Sequence, residues 1–469
     1  MAKHVVVTPE RWLPKGETEV TAGQHVPMVV WGGIVGEEAR VKVVHKGQNQ
    51  ARAIFEETDT PSPHRMQIPC DRYDPCGGCP MLHTDPEMQE MAHRSRVREA
   101  LDRAGLDDVG LGAFTRSPRM FDFRHVVKLG WGWSFDGKRS KVGAWGRRDR
   151  RIVPIPKCNV AAPVLRRVMT SLAHHSIEMG LVPYDPISDE GVMRGAVIRA
   201  SSKTGEVLVT LVAGRIPKKL DELAERIAQD NGEVVGVWVH VNMDEGNGLF
   251  HADEDGSIGM KALTGRDWIE EELDGIGIRV GPGDFYQTNP AMALPLYERT
   301  LNQLAPGPED AVVDLYSGVG GLTLLAARRC GLAIGVEAVE GAVRRARESA
   351  RRNRLNAEFI AGDVQEELPA IAKRLSHPLV IVDPARRGLH PDVREGLVEM
   401  RPRKLAYISC NASSMARDLA VFREAGAIVH DPELFDMFPH TAHVECLTIV
   451  EFEVEEARRA PRRKLLRKG

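Results

Sequence analysis

At 469 residues the chain is too long for one ordinary core, and at ~100–200 residues per domain it reads as two to four domains. With 42% hydrophobic and 28% charged residues it is globular, no apolar run approaches the ~20 residues that span a bilayer, and no charged-then-apolar export signal opens it. A formal charge of −3 excludes a uniformly basic nucleic-acid coat, and seven cysteines at low density exclude a secreted disulfide scaffold. A cytoplasmic protein with no membrane partner and a metal site is expected.

In chain order, residues 4–54 alternate short apolar stretches with glycines and charges, as in Met28-Val29-Val30-Trp31-Gly32-Gly33, which predicts a small β-barrel. Residues 58–80 are rich in Pro, Asp and Cys, a composition that builds no core of its own but can wrap a metal centre. A helix is expected over 85–105, carrying Arg94, Arg96, Arg98 and Arg103. A second basic group, Arg147, Arg148, Arg150 and Arg151, falls in a loop, and a third, Arg458 to Lys468, forms a tail; each is a candidate phosphate contact. Residues 121–278 mix strands (192–200, 206–212) with helices (161–179, 218–231), an α+β pattern. After about Gly283 regular alternation sets in, with strands at 311–316, 333–337, 358–361, 379–383, 405–409, 427–434 and 443–454 and helices between the first six. That is a doubly wound α/β sheet, whose ligands sit beyond the carboxyl ends of its strands.

Three of these strands deliver reactive groups. Leu405-Ala406-Tyr407-Ile408-Ser409 ends on Cys410, Val380-Ile381-Val382 ends on Asp383, and Val444-Glu445-Cys446 places a lone carboxylate in an apolar run. A strand-end thiol is a candidate nucleophile, although an isolated cysteine is more often a small core residue. The turn Ser317-Gly318-Val319-Gly320-Gly321 follows the first strand and opens a helix, and Glu337 ends the next strand, where an acid can bind ribose hydroxyls. The strict dinucleotide spacing fails because Thr323 stands where the last glycine belongs; S-adenosylmethionine fits better, with Gly362-Asp363 placed for the adenine amino group.

Cys70, Cys76, Cys79 and Cys158 have the spacing C-x5-C-x2-C-x78-C, and the Cys76-Gly77-Gly78-Cys79 turn lets two sulfurs converge. Four thiolates suit zinc or an iron–sulfur cluster, and spacing does not separate the two. His440 and His443 read as loop-packing residues, Cys330 and Cys446 as core.

In content and order, Cys76-Gly77-Gly78-Cys79, Gln287-Thr288-Asn289-Pro290, Asp314-Leu315-Tyr316-Ser317-Gly318-Val319-Gly320, Asp383-Pro384-Ala385-Arg386-Arg387-Gly388, Tyr407-Ile408-Ser409-Cys410-Asn411 and Phe438-Pro439-His440-Thr441-Ala442-His443-Val444-Glu445 resemble the motifs of the RNA uracil-5-methyltransferases. The match covers nearly the whole chain and looks most like the bacterial enzymes acting on 23S ribosomal RNA. It implies a multidomain α/β protein: an OB-like TRAM barrel at 1–62, an iron–sulfur-bearing central α+β domain at 63–282, a Rossmann-like class I methyltransferase domain at 283–456 and a basic tail at 457–469. It implies S-adenosylmethionine as cofactor and a [4Fe–4S] cluster on Cys70, Cys76, Cys79 and Cys158. Cys410 becomes the nucleophile and Glu445 the base, with Gln287, Tyr316, Gly318, Gly320, Glu337, Asp363 and Asp383 around cofactor and target base.

The expected partner is RNA, ribosomal in preference to transfer RNA, bound by a monomer. The sequence departs from the family pattern at Ala385 and Ala412, where proline is common, at Ser317 for a frequent cysteine, and at His125 in Phe123-Arg124-His125, where asparagine is common and Arg124 is a candidate RNA contact. None of these removes a reacting group. The rival readings are a non-catalytic RNA-binding assembly factor that keeps the fold, and cytosine-5 methylation, which shares the thiol-addition step.

Overall fold

The computed structural model describes residues 3–23, 26–149, 151–246, 248–250 and 258–453. Arg150 and the basic tail expected at 457–469 lie outside them. Near the N-terminus six strands pair along one path, in the order Lys3–Val7, Ala39–Lys46, Ala51–Glu57, Met28–Trp31, Thr18–Val20, Arg11–Trp12. In Ala39–Lys46 the period of two is visible: Ala39, Val41 and Val43 point into a core with Val7, Val20 and Val30, while Arg40 and Lys42 face outward.

A seven-stranded sheet follows, in the order Ile152–Val153, Ser140–Trp145, Val126–Trp133, Met193–Ala200, Val207–Ala213, Val234–Val241, Met260–Gly265. Its fully buried strand Val207–Ala213 runs parallel to Val234–Val241 through the crossover helix Lys219–Asp230, and that helix and Pro163–Glu178 cover the sheet with Leu220, Leu223, Leu165 and Leu172.

The third sheet has nine strands. Five run parallel in the order Ala357–Ala361, Leu332–Glu337, Ala311–Leu315, Leu379–Val382, Lys404–Ser409. Glu445–Glu451 then joins antiparallel to Lys404–Ser409 and carries both Glu433–Phe435 and Ile428–Val429 on its other side. Apolar cores fill both faces, as doubly wound sheets require. The order reverses between Ala311–Leu315 and Leu379–Val382, which opens a crevice beyond their carboxyl ends. Among the described residues no helix is long and apolar enough to cross a membrane.

Some expected elements shift. The strand expected over 427–434 is two short ones, because Asp431-Pro432 interrupts the ladder where proline has no N–H to give. The strand expected over 443–454 starts at Glu445. Packing also crosses the expected boundary at 282/283. The hairpin Ile269–Leu273 and Ile276–Val280 shares one core with the nine-stranded sheet, Phe114–Thr115 pairs with Glu433–Phe435, and helix Pro86–Arg103 buries Val97, Ala100 and Leu101 on the sheet's other face.

Asp418, on helix Ala412–Glu424, ties the C-terminal layer together. Its fully buried carboxylate accepts from Tyr407 Oη (2.7 Å), the Leu389 backbone N–H (2.8 Å) and Arg394 (2.7 Å), so strand Lys404–Ser409 is held to the loop that carries Asp383 and Arg386. Asp418→Ala leaves these buried donors unpaired. It is expected to cost about 3–5 kcal/mol, read from the urea unfolding midpoint; a shift under about 1 kcal/mol would contradict this role.

Candidate active site

Strand register brings the thiol and the acid together. In the antiparallel pair, Ser409 lies opposite Cys446, so the next step along the ladder sets Cys410 beside Glu445 at the open end of the sheet. Cys410 is held by its neighbours: Asn411 caps helix Ala412–Glu424 and donates from Nδ2 to the Arg386 carbonyl (2.7 Å), to which the Ser414 hydroxyl also donates (3.1 Å). The loop after Leu379–Val382, with Asp383 and Arg386, is thereby laced to the loop bearing the thiol.

The electrostatics follow from burial. Cys410 is pushed up to about 11, first by burial and then by the Glu445 carboxylate, while hydrogen bonding to Arg386 pulls the other way. Glu445 is 3% exposed and raised well above the carboxylate range by burial and then by Asp383; Asp383 is itself raised by burial. At neutral pH the free protein therefore holds a protonated thiol. Making the thiolate at pH 7 costs about 5 kcal/mol, which the bound complex must supply.

The cofactor candidates line the adjoining crevice. Tyr316 (φ 69°), Gly318 (φ 55°) and Gly320 (φ 82°) take left-handed conformations that fold the chain from strand to helix Gly321–Ala326. A Cβ on Gly320 would lie 2.6 Å from the Phe359 ring. Glu337 accepts from the N–H groups of Gly318 (3.0 Å) and Val339 (2.9 Å), one on each carboxylate oxygen, which leaves a lone pair on each for a hydroxyl. Asp363 caps helix Val364–Arg374 through one oxygen, and buried Gln287 hydrogen-bonds Tyr297. Ser317 Oγ is buried in the same turn without a partner, the mark of a site built for a polar ligand. These residues fit a nucleoside-bearing cofactor.

The four expected metal ligands, Cys70, Cys76, Cys79 and Cys158, line one cavity of about 700 Å³ that continues to Arg386, Phe438 and His443 beside Cys410. Burial pushes Cys79 up to about 12 and raises Cys70 and Cys76, and each of these feels the charge of Cys158. Thiols desolvated together, with Gly78 N–H donating to Cys76 Sγ (3.4 Å), suit a positively charged inorganic centre. Among the described residues no three of these sulfurs lie within 4.8 Å of one another, a wider spread than one tetrahedral ion with bonds of ~2.3 Å draws together.

The same cavity carries seven cationic side chains, among them Arg124, Lys128, Arg147 and Arg386, against one carboxylate, Glu17, among the described residues. Arg124 keeps a buried Nε without a partner, as Arg147 does its Nε and Nη2.

Other expected phosphate contacts are occupied. Arg94 pairs with Glu90 and the Gly112 carbonyl, Arg96 donates to the Ala442 carbonyl, Arg98 binds Asp102 and the carbonyls of Leu106 and Val109, and Arg103 pairs with Glu99. That helix is a clamp on the catalytic layer. His440 is wedged by Gln89, which accepts from its backbone N–H (2.8 Å), and His443 lies 3.3 Å from Arg386 with burial holding it at about 4, in keeping with packing roles. Cys446 is fully buried core; Cys330, half-buried, donates to the Leu332 carbonyl. Thr323, which broke the dinucleotide spacing, donates to Asp314 (2.6 Å) across the turn. Arg386 and Tyr297 join the site beside the expected residues: Arg386 stands inside the motif at 383–388, whereas Tyr297, on helix Pro290–Leu304, carries no local signal.

Because the Cys410 thiol sits at about 11, its alkylation by iodoacetamide is expected to rise about tenfold per pH unit from pH 7 to 9, followed by peptide mass spectrometry. A plateau below pH 8 would contradict the shift.

Comparison with known proteins places the chain. Residues 257–452 match the family model of the tRNA (uracil-5-)-methyltransferases. An uncharacterized RNA methyltransferase of Caldanaerobacter subterraneus subsp. tengcongensis is 32% identical over 91% of this chain and 94% of its own length, and one from Clostridium tetani is 30% identical over 88% and 90%. Among solved structures, the Pyrococcus abyssi tRNA (uracil-54, C5)-methyltransferase in complex with S-adenosyl-L-homocysteine superposes with a TM-score of 0.71 at 25% identity, covering 95% of this chain and all of that one. The chain belongs to the RNA uracil-5-methyltransferase family and is an S-adenosylmethionine-dependent RNA methyltransferase.

Proposed function

We propose that the protein methylates carbon 5 of a uridine in RNA through a covalent intermediate on Cys410, with Glu445 as base. The observation that carries this reading is the register that sets Cys410 beside Glu445. Carbon 5 of uracil is a poor nucleophile. Addition of the Cys410 thiolate to carbon 6 makes carbon 5 an enolate carbon, Glu445 takes the carbon 5 proton after methylation, and the electron pair returns as the thiolate leaves. Bound S-adenosylmethionine would supply the electrophilic methyl group to carbon 5, with S-adenosyl-L-homocysteine as the leaving group. Arg386, hydrogen-bonded to the thiol, favours its ionised form, and Asp383 is placed to hydrogen-bond the edge of a base flipped from its stack.

Gln287, Tyr316, Gly318, Gly320, Glu337 and Asp363 hold the cofactor in this reading, and Cys70, Cys76, Cys79 and Cys158 hold a [4Fe–4S] cluster. The chemistry needs no electron, so the cluster orders the RNA-facing wall of the cavity. The N-terminal sheet acts as a TRAM-type barrel (1–62), followed by the cluster domain (63–282) and the methyltransferase domain (283–456), in a cytoplasmic monomer. The cavity's excess of cations supports single-stranded RNA as its occupant. Large-subunit ribosomal RNA is the proposed substrate; transfer RNA is the second reading, favoured by the substrate named for the Pyrococcus abyssi relative.

Labelled S-adenosylmethionine incubated with total RNA from a strain lacking the gene tests the reaction. Label in 5-methyluridine of ribosomal RNA is expected; label in 5-methylcytidine, or none, would overturn the proposal. Cys410→Ala should abolish transfer while retaining cofactor binding, whereas Glu445→Gln should accumulate a methylated RNA–protein adduct, and rapid product release by that variant would remove Glu445 as base. Anaerobic purification should yield about four irons per chain; zinc in place of iron would contradict the cluster.

A further inference from the structure

The hairpin formed by Val126–Trp133 and Ser140–Trp145 presents aromatic rings that pack into no core. Phe135, in its connecting turn, is 86% exposed and Trp133 45%. The turn is nonetheless ordered by its own bonds. Ser134 N–H donates to the Arg139 carbonyl (2.8 Å), Arg139 N–H to Ser134 Oγ (2.9 Å), Lys138 N–H to Asp136 (3.2 Å), and Gly137 takes φ 68°. The Phe135 ring is therefore held in a fixed place with most of its surface open to water.

The surroundings select the partner's charge. Arg151, paired with Asp149 (3.1 Å), lies 4.9 Å over the Phe135 ring, and Lys138 and Lys141 form no ion pair among the described residues. The strand Ser140–Trp145 leads from this turn to Trp145 on the cavity rim. Beyond it, Arg148 lies 5.1 Å over Trp31, and an open pocket of about 530 Å³ with His45, Asn49, Arg52 and Arg148 on its wall, and no carboxylate among its described residues, carries the basic surface onto the N-terminal sheet. Aromatic faces interleaved with cations, continuous with the catalytic cavity, match the stacking and phosphate contacts of single-stranded RNA.

We infer that this hairpin is a second RNA-contact surface, outside the catalytic cavity, where an unpaired base stacks on Phe135 while Lys138 and Lys141 hold flanking phosphates. The inference rests on the RNA substrate proposed above and adds that recognition extends past the target base. Phe135 touches neither Cys410 nor the crevice, so its loss affects RNA affinity and not the chemical step.

Fluorescence anisotropy with labelled oligouridylates of about 6 and about 20 nucleotides tests it, since single-strand sites span ~4–16 nucleotides. The wild type should bind the longer probe more tightly. Phe135→Ala should weaken the longer probe about tenfold and the shorter less than about twofold, and Phe135→Trp should restore the difference. Lys138→Ala with Lys141→Ala should flatten the salt dependence for the longer probe by about 1.4 in log–log slope. Wild-type affinity independent of length, equal losses on both probes, or no loss with Phe135→Ala would each overturn the inference. Nucleoside analysis is read separately: absence of 5-methyluridine beside an intact length effect overturns the proposed reaction and leaves this surface standing.

Discussion

Everything at the open end of the catalytic sheet depends on one pairing, that of Glu445–Glu451 against Lys404–Ser409. Backbone hydrogen bonds fix the register, and a slip of one residue would turn Glu445 to the opposite face, away from the thiol. Because the partner strand is antiparallel, the start of one strand meets the end of the other, so a thiol and a carboxyl 35 positions apart in sequence become neighbours. A parallel strand in that place would have put the glutamate at the far edge.

The same pairing sets up an electrostatic conflict. Burial that excludes water also raises Cys410, Asp383 and Glu445 toward their neutral forms, and Arg386 is the nearby cation that opposes it. Forming the thiolate therefore depends on what the bound RNA and cofactor contribute. The rest of the architecture brings those ligands in: the buried Asp418 network holds the Asp383–Arg386 loop against the strand, the arginines of helix Pro86–Arg103 clamp the layer from behind, and a cation-rich cavity with four cysteines in its wall leads to the thiol.

Much of this could be read beforehand, for physical reasons. Leu379–Val382, and residues 405–408 within Lys404–Ser409, announce themselves as apolar runs, because parallel strands are buried on both faces, and each ends where the polar site begins. Strand-end residues such as Asp383, Cys410 and Glu337 were therefore visible as candidates. Long-range packing was not. Nothing local in Phe114–Thr115 says that it pairs beside Glu433–Phe435, nor in Ile269–Val280 that this hairpin joins the catalytic core. The arginines of Pro86–Arg103 looked available for phosphate because their partners, the carbonyls of Gly112 and Ala442, are backbone atoms with no sequence signature. Tyr297 was hidden for a related reason: only the fold brings that helix position to Gln287.

The proposed reaction stands on a covalent bond between Cys410 and the target base. RNA containing 5-fluorouridine, incubated with the protein and S-adenosylmethionine, cannot lose its fluorine to a base, so the intermediate stays trapped; digestion and mass spectrometry then locate it. The mechanism requires a methylated fluorouridine on the peptide bearing Cys410. An adduct on another cysteine, or turnover of unmodified RNA with no adduct on the fluorinated one, would contradict it.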